Sequence, residues 1–284
     1  MRKKVLIDNV LIGDNEPIPF IAEIGVNHLG NFDRAIEMVD KALEGGSDFL
    51  KFQTYDALKR YDKSNPKYKE FTKLLSEWQL SKNQEKKLWQ YAKSKNAKIF
   101  TSVYDEDSVD FAIELGTSAF KVAAFEITNK KLIKKIIKSS LPIIISCGMT
   151  NIKEIKATTS LLDKAKVEYI LLHTVSSYPL MHEDSYLSKI QILKENFNCP
   201  IGHSDHTHGT IIPPLAAAAG AQIIEKHFTV NPKFRLSDNF FSVTSEEVKR
   251  IKFDLDYVFK AMFSPNFAKN DPEKFMRDFK KYSE

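Results

Sequence analysis

The sequence predicts an α/β protein of the closed (β/α)8 TIM-barrel class, and three observations predict it. Eight short runs, apolar nearly throughout, recur along the chain, as strands buried on both faces of a parallel sheet do. Segments of helical periodicity separate them. No glycine-rich nucleotide turn follows the first run, where "EIGVNHLGNF" stands, so an open doubly wound sheet is the poorer fit.

Taken in order, "KKVLIDNVLIGDNEPI" (3–18) reads as a hairpin turning near Asp8-Asn9 and placed to plug the bottom of the barrel. The strand runs follow: "PFIAEIG" (19–25), "DFLKFQT" (48–54), "AKIFTSV" (97–103) and "SAFKVAA" (118–124). "PIIISCG" (142–148), "YILLHTV" (169–175), "PIGHSDH" (200–206) and "QIIEKHF" (222–228) complete the set. Between them, "FDRAIEMVDKALEGG" (32–46) carries Ile36, Val39, Ala42 and Leu43 on one stripe, and Gly45 with Gly46 stops it. "LSKNQEKKLWQYAKSK" (80–95) opens with a Ser81-to-Gln84 capping box. "DEDSVDFAIELG" (105–116) begins with acids and ends with glycine, as a helix dipole favours. The segment from Asp56 to about Leu75, rich in Lys, Tyr and Ser, shows no clear period and reads as a lid or binding loop. The expectation is one domain over 1–284, with the hairpin over 1–18 and a C-terminal tail over 264–284.

Composition narrows the function. Of 284 residues, 43% are hydrophobic and 28% charged, which suits a soluble globular protein with a substantial core. The net charge of +5 is spread thinly. Its densest run, "NKKLIKKIIK" (129–138), reads as the solvated face of a helix whose stripe is Leu132, Ile133, Ile136 and Ile137. No concentrated basic patch or recognition module points to nucleic acid. No signal-peptide core or membrane-length apolar run is present. Cys147 and Cys199 therefore read as reduced thiols of a cytoplasmic protein, and no base is evident beside Cys147 to make it a nucleophile.

The chemistry lies in the polar residues that interrupt each apolar run near its C-terminal end. They are Glu23, Lys51 with Gln53, Ser102, Lys121 with Glu126, and Ser146. His173 with Ser176 and Tyr178, Ser204 with His206, and Glu225 with His227 follow. In a barrel these ends converge on one mouth. Lys51 and Lys121, with serines between them, suit a phosphate or carboxylate; internal ion pairs with Glu23 and Glu126 are the alternative. His206 and His227 sit where both can point inward from neighbouring strands. Two imidazoles with open positions suit a divalent ion such as Mn²⁺, Zn²⁺ or Fe²⁺, against the alternative of hydrogen-bonded core histidines. His203 and His208 are expected to face the wall or a loop, and His173 to be satisfied in the interior.

A set of segments in these same places resembles a known family. "FIAEIGVNHLGNFDRAIEMVDKALEGGSDFLKFQTY", "FKVAAFEITN", "IISCGMT", "LLHTVSSYP", "IGHSDHTHG" and "IIEKHFT" stand in the order found in the N-acetylneuraminate (sialic acid) synthase family. The similarity runs from about residue 4 to 263, and the pairing of "SDHT" with "EKHFT" is its most specific part. The resemblance implies condensation of phosphoenolpyruvate with an amino-sugar or related sugar aldehyde. The product is a nonulosonic-type 2-keto acid, made with release of phosphate in surface polysaccharide biosynthesis. It implies that His206 and His227 hold a divalent metal, typically Mn²⁺, with Mg²⁺ or Zn²⁺ as other candidates. Glu23, Lys51 and Lys121 would be catalytic, Glu23 as acid or base near the reacting carbons. Ser102, Ser146 and Ser204 would surround phosphoenolpyruvate with the lysines. Tyr178, Glu126 and Asp238 would meet the sugar, and Gln53 and Ser176 would share the mouth.

Three departures from the family pattern shape the expectations. Full-length members carry a small C-terminal domain resembling antifreeze proteins, which exchanges across a dimer and supplies an arginine to the partner's sugar site. The sequence closes on "NDPEKFMRDFKKYSE" without it, so any homodimer is expected to use barrel helices. Ala124 stands where a serine is common, followed by Phe125 where glycine is usual, and Asn239 stands for a histidine. These changes favour an acceptor other than N-acetylmannosamine. Other metal-dependent barrel aldolases or hydrolases, and a catalytically inactive sugar-binding barrel, are the alternative readings.

Overall fold

The computed structural model describes residues 3–234, 236–262 and 279. At its start, β1 (Val5–Ile7) and β2 (Val10–Ile12) pair antiparallel, with Ile7 opposite Val10. Asp8 and Asn9 between them hold φ of 45° and 65°, the two-residue turn whose twist matches a hairpin.

Eight parallel strands then close on themselves: β3 (Phe20–Glu23), β4 (Phe49–Thr54), β5 (Ile99–Val103), β6 (Phe120–Val122), β7 (Ile143–Ser146), β8 (Tyr169–Thr174), β9 (Ile201–Asp205) and β10 (Ile224–His227). The last strand pairs with the first of the barrel, β10 with β3, so no edge is left open. All eight predicted strand runs contain one of these strands. Among the described residues, no helix is long and apolar enough to cross a membrane.

Local chemistry sets the helix ends. The Asn31 side chain accepts the amide of Arg34 to start α1 (Phe32–Glu44), which ends at Gly45. After α2 (Tyr68–Trp78), the predicted capping box of Ser81 and Gln84 opens α3 (Lys82–Ser94). Asp105 caps α4 (Glu106–Leu115), which stops at Gly116 with φ of 74°, a left-handed conformation that glycine takes without a Cβ penalty. The lysine-rich run forms α5 (Lys130–Ile137) with Leu132, Ile133 and Ile136 buried, as its stripe requires. Then come α6 (Ile152–Ala165), α7 (Lys189–Asn196), α8 (Ile212–Ala218) and α9 (Ser245–Met262).

One expectation needs correction. The stretch read as an irregular lid from Asp56 to Leu75 is a loop only as far as Lys67, and α2 occupies the rest. Phe71, Leu74, Leu75 and Trp78 recur at helical spacing, but the surrounding lysines and a weak N-cap at Lys67 mask that stripe. The predicted C-terminal tail, apart from Phe279, falls outside the described residues.

Alternation along each strand builds two apolar layers. Phe20, Leu50, Phe120 and Ile145 pack outward against the helices. Ile21, Phe49, Phe100, Ile144, Ile170, Leu172 and Ile223 fill the barrel together with Val5, Ile7 and Ile12, so the hairpin does plug it. A Cβ on Gly202 would come within 2.4 Å of Ile223 and 2.6 Å of Leu172, so only glycine fits β9 there. With the lower barrel filled, the polar strand ends are left to line the opposite mouth.

Candidate active site

Parallel pairing brings the charged strand ends side by side. Glu23 on β3 is in register with Lys51 on β4 and with His227 on β10. Ser102 on β5 is in register with Gln53 and with Lys121 on β6, and Glu225 on β10 with Ser204 on β9. These side chains form the floor of a cavity of about 560 Å³. Lys51 Nζ lies 2.6 Å from Glu23 Oε2 and 3.5 Å from Glu225 Oε1, and donates to Ser102 Oγ at 3.0 Å. Lys121 Nζ reaches the same Glu225 Oε1 at 3.1 Å, as does the hydroxyl of Ser204 at 3.1 Å. Gln53 donates from Nε2 to Glu23 Oε1 at 2.6 Å.

The expectation offered a choice between an anion site and internal ion pairs, and the floor has both features. The lysines are paired, yet they border open volume rather than packed core. The partner of Lys121 is Glu225, not Glu126. Glu225 is the residue that sequence reasoning placed at a strand end without giving it a role. Its signal was its parity: it shares the inward side of β10 with His227, while Lys226 turns outward to an ion pair with buried Asp205.

The two floor carboxyls are driven in opposite directions. Burial pushes Glu23 above its ordinary range, with Lys51 working against the rise and Glu225 adding to it. Burial also opposes ionisation of Glu225, but Lys121 and Lys51 outweigh it and hold that carboxyl down at about 2. Lys51 stays charged against its own burial because two carboxylates face it, whereas burial and the neighbouring ammonium lower Lys121. One carboxyl that holds a proton readily beside one that does not is the pattern of an acid or base next to a fixed charge.

On the adjoining wall, the rings of His206 and His227 face each other with centroids 5.6 Å apart. The Nδ1 of His206 lies 2.8 Å from the Val175 carbonyl, which places its proton there and leaves Nε2 with a free lone pair. The Nδ1 of His227 is buried without a hydrogen-bond partner, 3.7 Å from Asp238 Oδ2. Burial lowers both rings, His206 to about 4 and His227 well below its usual value, so both stay neutral. Two neighbouring neutral imidazoles, one of them with an unbonded Nδ1, fit a divalent ion whose other positions come from solvent or substrate. Among the described residues there is no cluster of three or more His, Cys, Asp or Glu placed to hold an ion by themselves. His203 is buried on the outer side of β9, stacked on His173 at 5.2 Å, and His208 is exposed on the loop, as expected of both. His173 is satisfied by the Ser185 carbonyl at 2.7 Å.

Ser146 lines the cavity from β7, and Tyr178 and Asp238 line it higher up, with the Tyr178 ring 4.3 Å from His206. Burial, with Glu23 adding, pushes Asp238 up to about 6. The structure does not bring Glu126 or Ser176 onto the wall. The Glu126 carboxylate takes the Asn129 amide at 2.7 Å, at the start of α5. The Ser176 hydroxyl is tucked against Gly148. Phe125 does not fill the site either: it is exposed, stacked on Tyr104 at 5.9 Å, and forms part of the rim. Asn239 is buried and works as a structural pin, bonding Thr229 and donating to the carbonyls of Asn27 and Leu236. Cys147 is inert, since burial raises its thiol far out of the reactive range. Sequence reasoning gave no part to Arg60, which reaches the cavity from the β4–α2 loop.

Comparison with known proteins shows what the chain is similar to. The pattern of the NeuB family matches residues 38–265. The N,N'-diacetyllegionaminic acid synthase of Legionella pneumophila is 35% identical over 249 residues, covering 81% of this chain and 69% of that protein. The spore coat polysaccharide biosynthesis protein SpsE of Bacillus subtilis is 33% identical over 261 residues, covering 86% and 68%. The crystal structure of the N-acetylneuraminic acid (sialic acid) synthetase from Leptospira borgpetersenii, in complex with citrate, superposes with a TM-score of 0.92. It is 32% identical and covers 98% of this chain and 96% of its own.

Proposed function

The chain belongs to the NeuB family, and on that premise we propose that it condenses phosphoenolpyruvate with an amino-sugar aldehyde to a 2-keto sugar acid and phosphate. The observation that carries this reading is the floor of the cavity, where Lys51 and Lys121 share Glu225 while Glu23 is inclined to hold a proton. Two lysines against one firmly ionised carboxylate, with Glu23 disposed to take up a proton, suit a small polyanion.

The chain's own residues then divide the work. Lys51 and Lys121, with the hydroxyls of Ser102, Ser146 and Ser204, receive the phosphate and carboxylate of phosphoenolpyruvate. Tyr178 and Asp238 orient the acceptor above it. A divalent ion held by His206 and His227, Mn²⁺ before Mg²⁺ or Zn²⁺, would supply Lewis acidity toward the aldehyde carbonyl when bound. The enol methylene carbon adds to the aldehyde carbon, and the aldehyde oxygen takes the Glu23 proton to become a hydroxyl. Positive character develops at the carbon bearing phosphate, where the Glu23 carboxylate left by that transfer stabilises it and takes a proton back from the water that adds there. The resulting hemiketal phosphate collapses to the ketone: its carbon–oxygen bond to phosphate breaks, its hydroxyl proton passes to the departing phosphate, and phosphate leaves between the lysines. Gln53 fixes the Glu23 carboxyl through the 2.6 Å hydrogen bond.

The test is incubation with Mn²⁺, phosphoenolpyruvate and a panel of amino-sugar aldehydes, reading phosphate and 2-keto acid together. The proposal predicts stoichiometric formation of both, and only when both substrates are present. Phosphate release from phosphoenolpyruvate alone, at the same rate with or without acceptor, would show a hydrolase instead.

A further inference from the structure

The two rings that face each other on the cavity wall are flanked by one fully buried clamp. His227 closes β10 and Lys226 precedes it, while His206 follows Asp205, the last residue of β9. Pairing between these strands ends where Lys226 lies opposite Asp205, so His206 stands one residue beyond the ladder. Side chains take over there. Lys226 Nζ is paired with Asp205 Oδ2 and donates to the Thr207 carbonyl at 2.6 Å. Asp205 Oδ1 accepts the Thr207 amide at 2.9 Å, and Oδ2 accepts the Thr207 hydroxyl at 3.1 Å. A single ammonium thus ties the residues before and after His206 to the residue before His227.

Stability alone does not call for this arrangement. Asp205, Thr207 and Lys226 are all 0% exposed. Apolar side chains of similar volume often match or exceed such a buried ion pair in stability, because both charges must be stripped of water. None of the three residues lines the cavity, so the clamp meets no substrate. What it fixes is the backbone on both sides of His206 relative to β10. The Val175 carbonyl, 2.8 Å from Nδ1, then aims the His206 ring, and the ring of His227 lies 5.6 Å away. Among the described residues no third His, Cys, Asp or Glu joins these rings in a cluster placed to hold an ion. An ion there takes two protein ligands, and a shift of either ring forfeits half of them.

We propose that Lys226 and Asp205 are positioning residues of the metal site, holding the His206 and His227 rings at a separation and aim that one divalent ion can bridge. This rests on the reading of those histidines as metal ligands. Loss of the groups that orient a metal-binding histidine typically weakens metal binding by about ten- to hundredfold.

The experiment uses two double variants. Lys226→Met with Asp205→Leu removes both charges together, and Lys226→Met with Asp205→Asn also keeps an acceptor for the Thr207 amide. Calorimetry measures binding of Mn²⁺ and, separately, of phosphoenolpyruvate without metal, and a denaturant titration follows the fold. Both variants are expected to bind Mn²⁺ about ten- to hundredfold more weakly than wild type. Phosphoenolpyruvate binding should be unchanged, and unfolding should stay near the wild-type midpoint. Three results would overturn the inference: wild-type Mn²⁺ affinity in a folded variant, parallel loss of Mn²⁺ and phosphoenolpyruvate binding, or failure of both variants to fold. The last two would assign the clamp to the barrel's stability. Each would leave His206 and His227 as ligands. Wild type that binds none of Mn²⁺, Mg²⁺ and Zn²⁺, or that binds them equally well after His206→Ala, would instead bring down the ligand reading and this inference with it.

Discussion

Lys51 and Glu23 stand on neighbouring strands in direct register, and their tips meet at 2.6 Å on the cavity floor. The pair is almost fully buried, with side-chain exposures of 4% and 1%. An isolated pair of this kind gives little net stability, because desolvation of two charges offsets their attraction. Its value is chemical: it holds an ammonium and a carboxyl disposed to exchange a proton at fixed positions beside open volume.

That view separates activity from stability. Lys51→Met should lower kcat/KM by about 10²–10³-fold, the usual loss of a preorganised donor. It should also destabilise the fold by about 3 kcal/mol, because Glu23 loses its countercharge. Adding Glu23→Gln should restore most of the lost stability and none of the activity. Denaturant titration of the single and double variants, set beside their turnover, checks this.

His227→Ala should leave a folded protein whose circular dichroism matches wild type, since the ring borders a cavity and bonds nothing through Nδ1. Bound Mn²⁺ should fall to background and turnover with it, while phosphoenolpyruvate still binds through the lysines. Metal analysis and calorimetry read the two effects independently. Retained turnover in this variant would remove His227 from the site.

A pH prediction follows from His203, which is fully buried and held by the His173 carbonyl at 3.0 Å. Burial lowers its ring from 6.5 in the unfolded chain to about 3. The native state therefore binds fewer protons than the unfolded state between these values. Stability is full above pH 6.5 and is lost as the pH falls toward 3. The slope from this one group is up to about 1.4 kcal/mol per pH unit. His203→Gln should flatten the fall in unfolding free energy between pH 6.5 and 5 by about 2 kcal/mol, whatever its effect at pH 7.

The barrel was legible because its signals are local. Each strand run is apolar nearly throughout, and caps such as Asn31, Ser81, Asp105 and the turn at Asp8-Asn9 act within a few residues. Strand parity likewise put Glu23, Lys51, Lys121, Ser204, His206 and His227 at one mouth. What stayed hidden depends on three-dimensional neighbours. Nothing local shows that Lys121 would choose Glu225, 104 residues away, over nearby Glu126. Asn239 looked like a change bearing on the acceptor, but its side chain is consumed by Thr229, Asn27 and Leu236. Arg60 lay in a lysine-rich loop where one more cation carries no signal, and only its burial against Tyr104 sets it apart.

The central claim, that water adds to the enol carbon and phosphate departs with its bridging oxygen, is tested most directly in ¹⁸O-labelled water. Turnover with phosphoenolpyruvate and an acceptor should release phosphate carrying no solvent oxygen, because the bond that breaks joins carbon to oxygen. Phosphate bearing one ¹⁸O atom would mean that water attacked phosphorus, and would contradict the account.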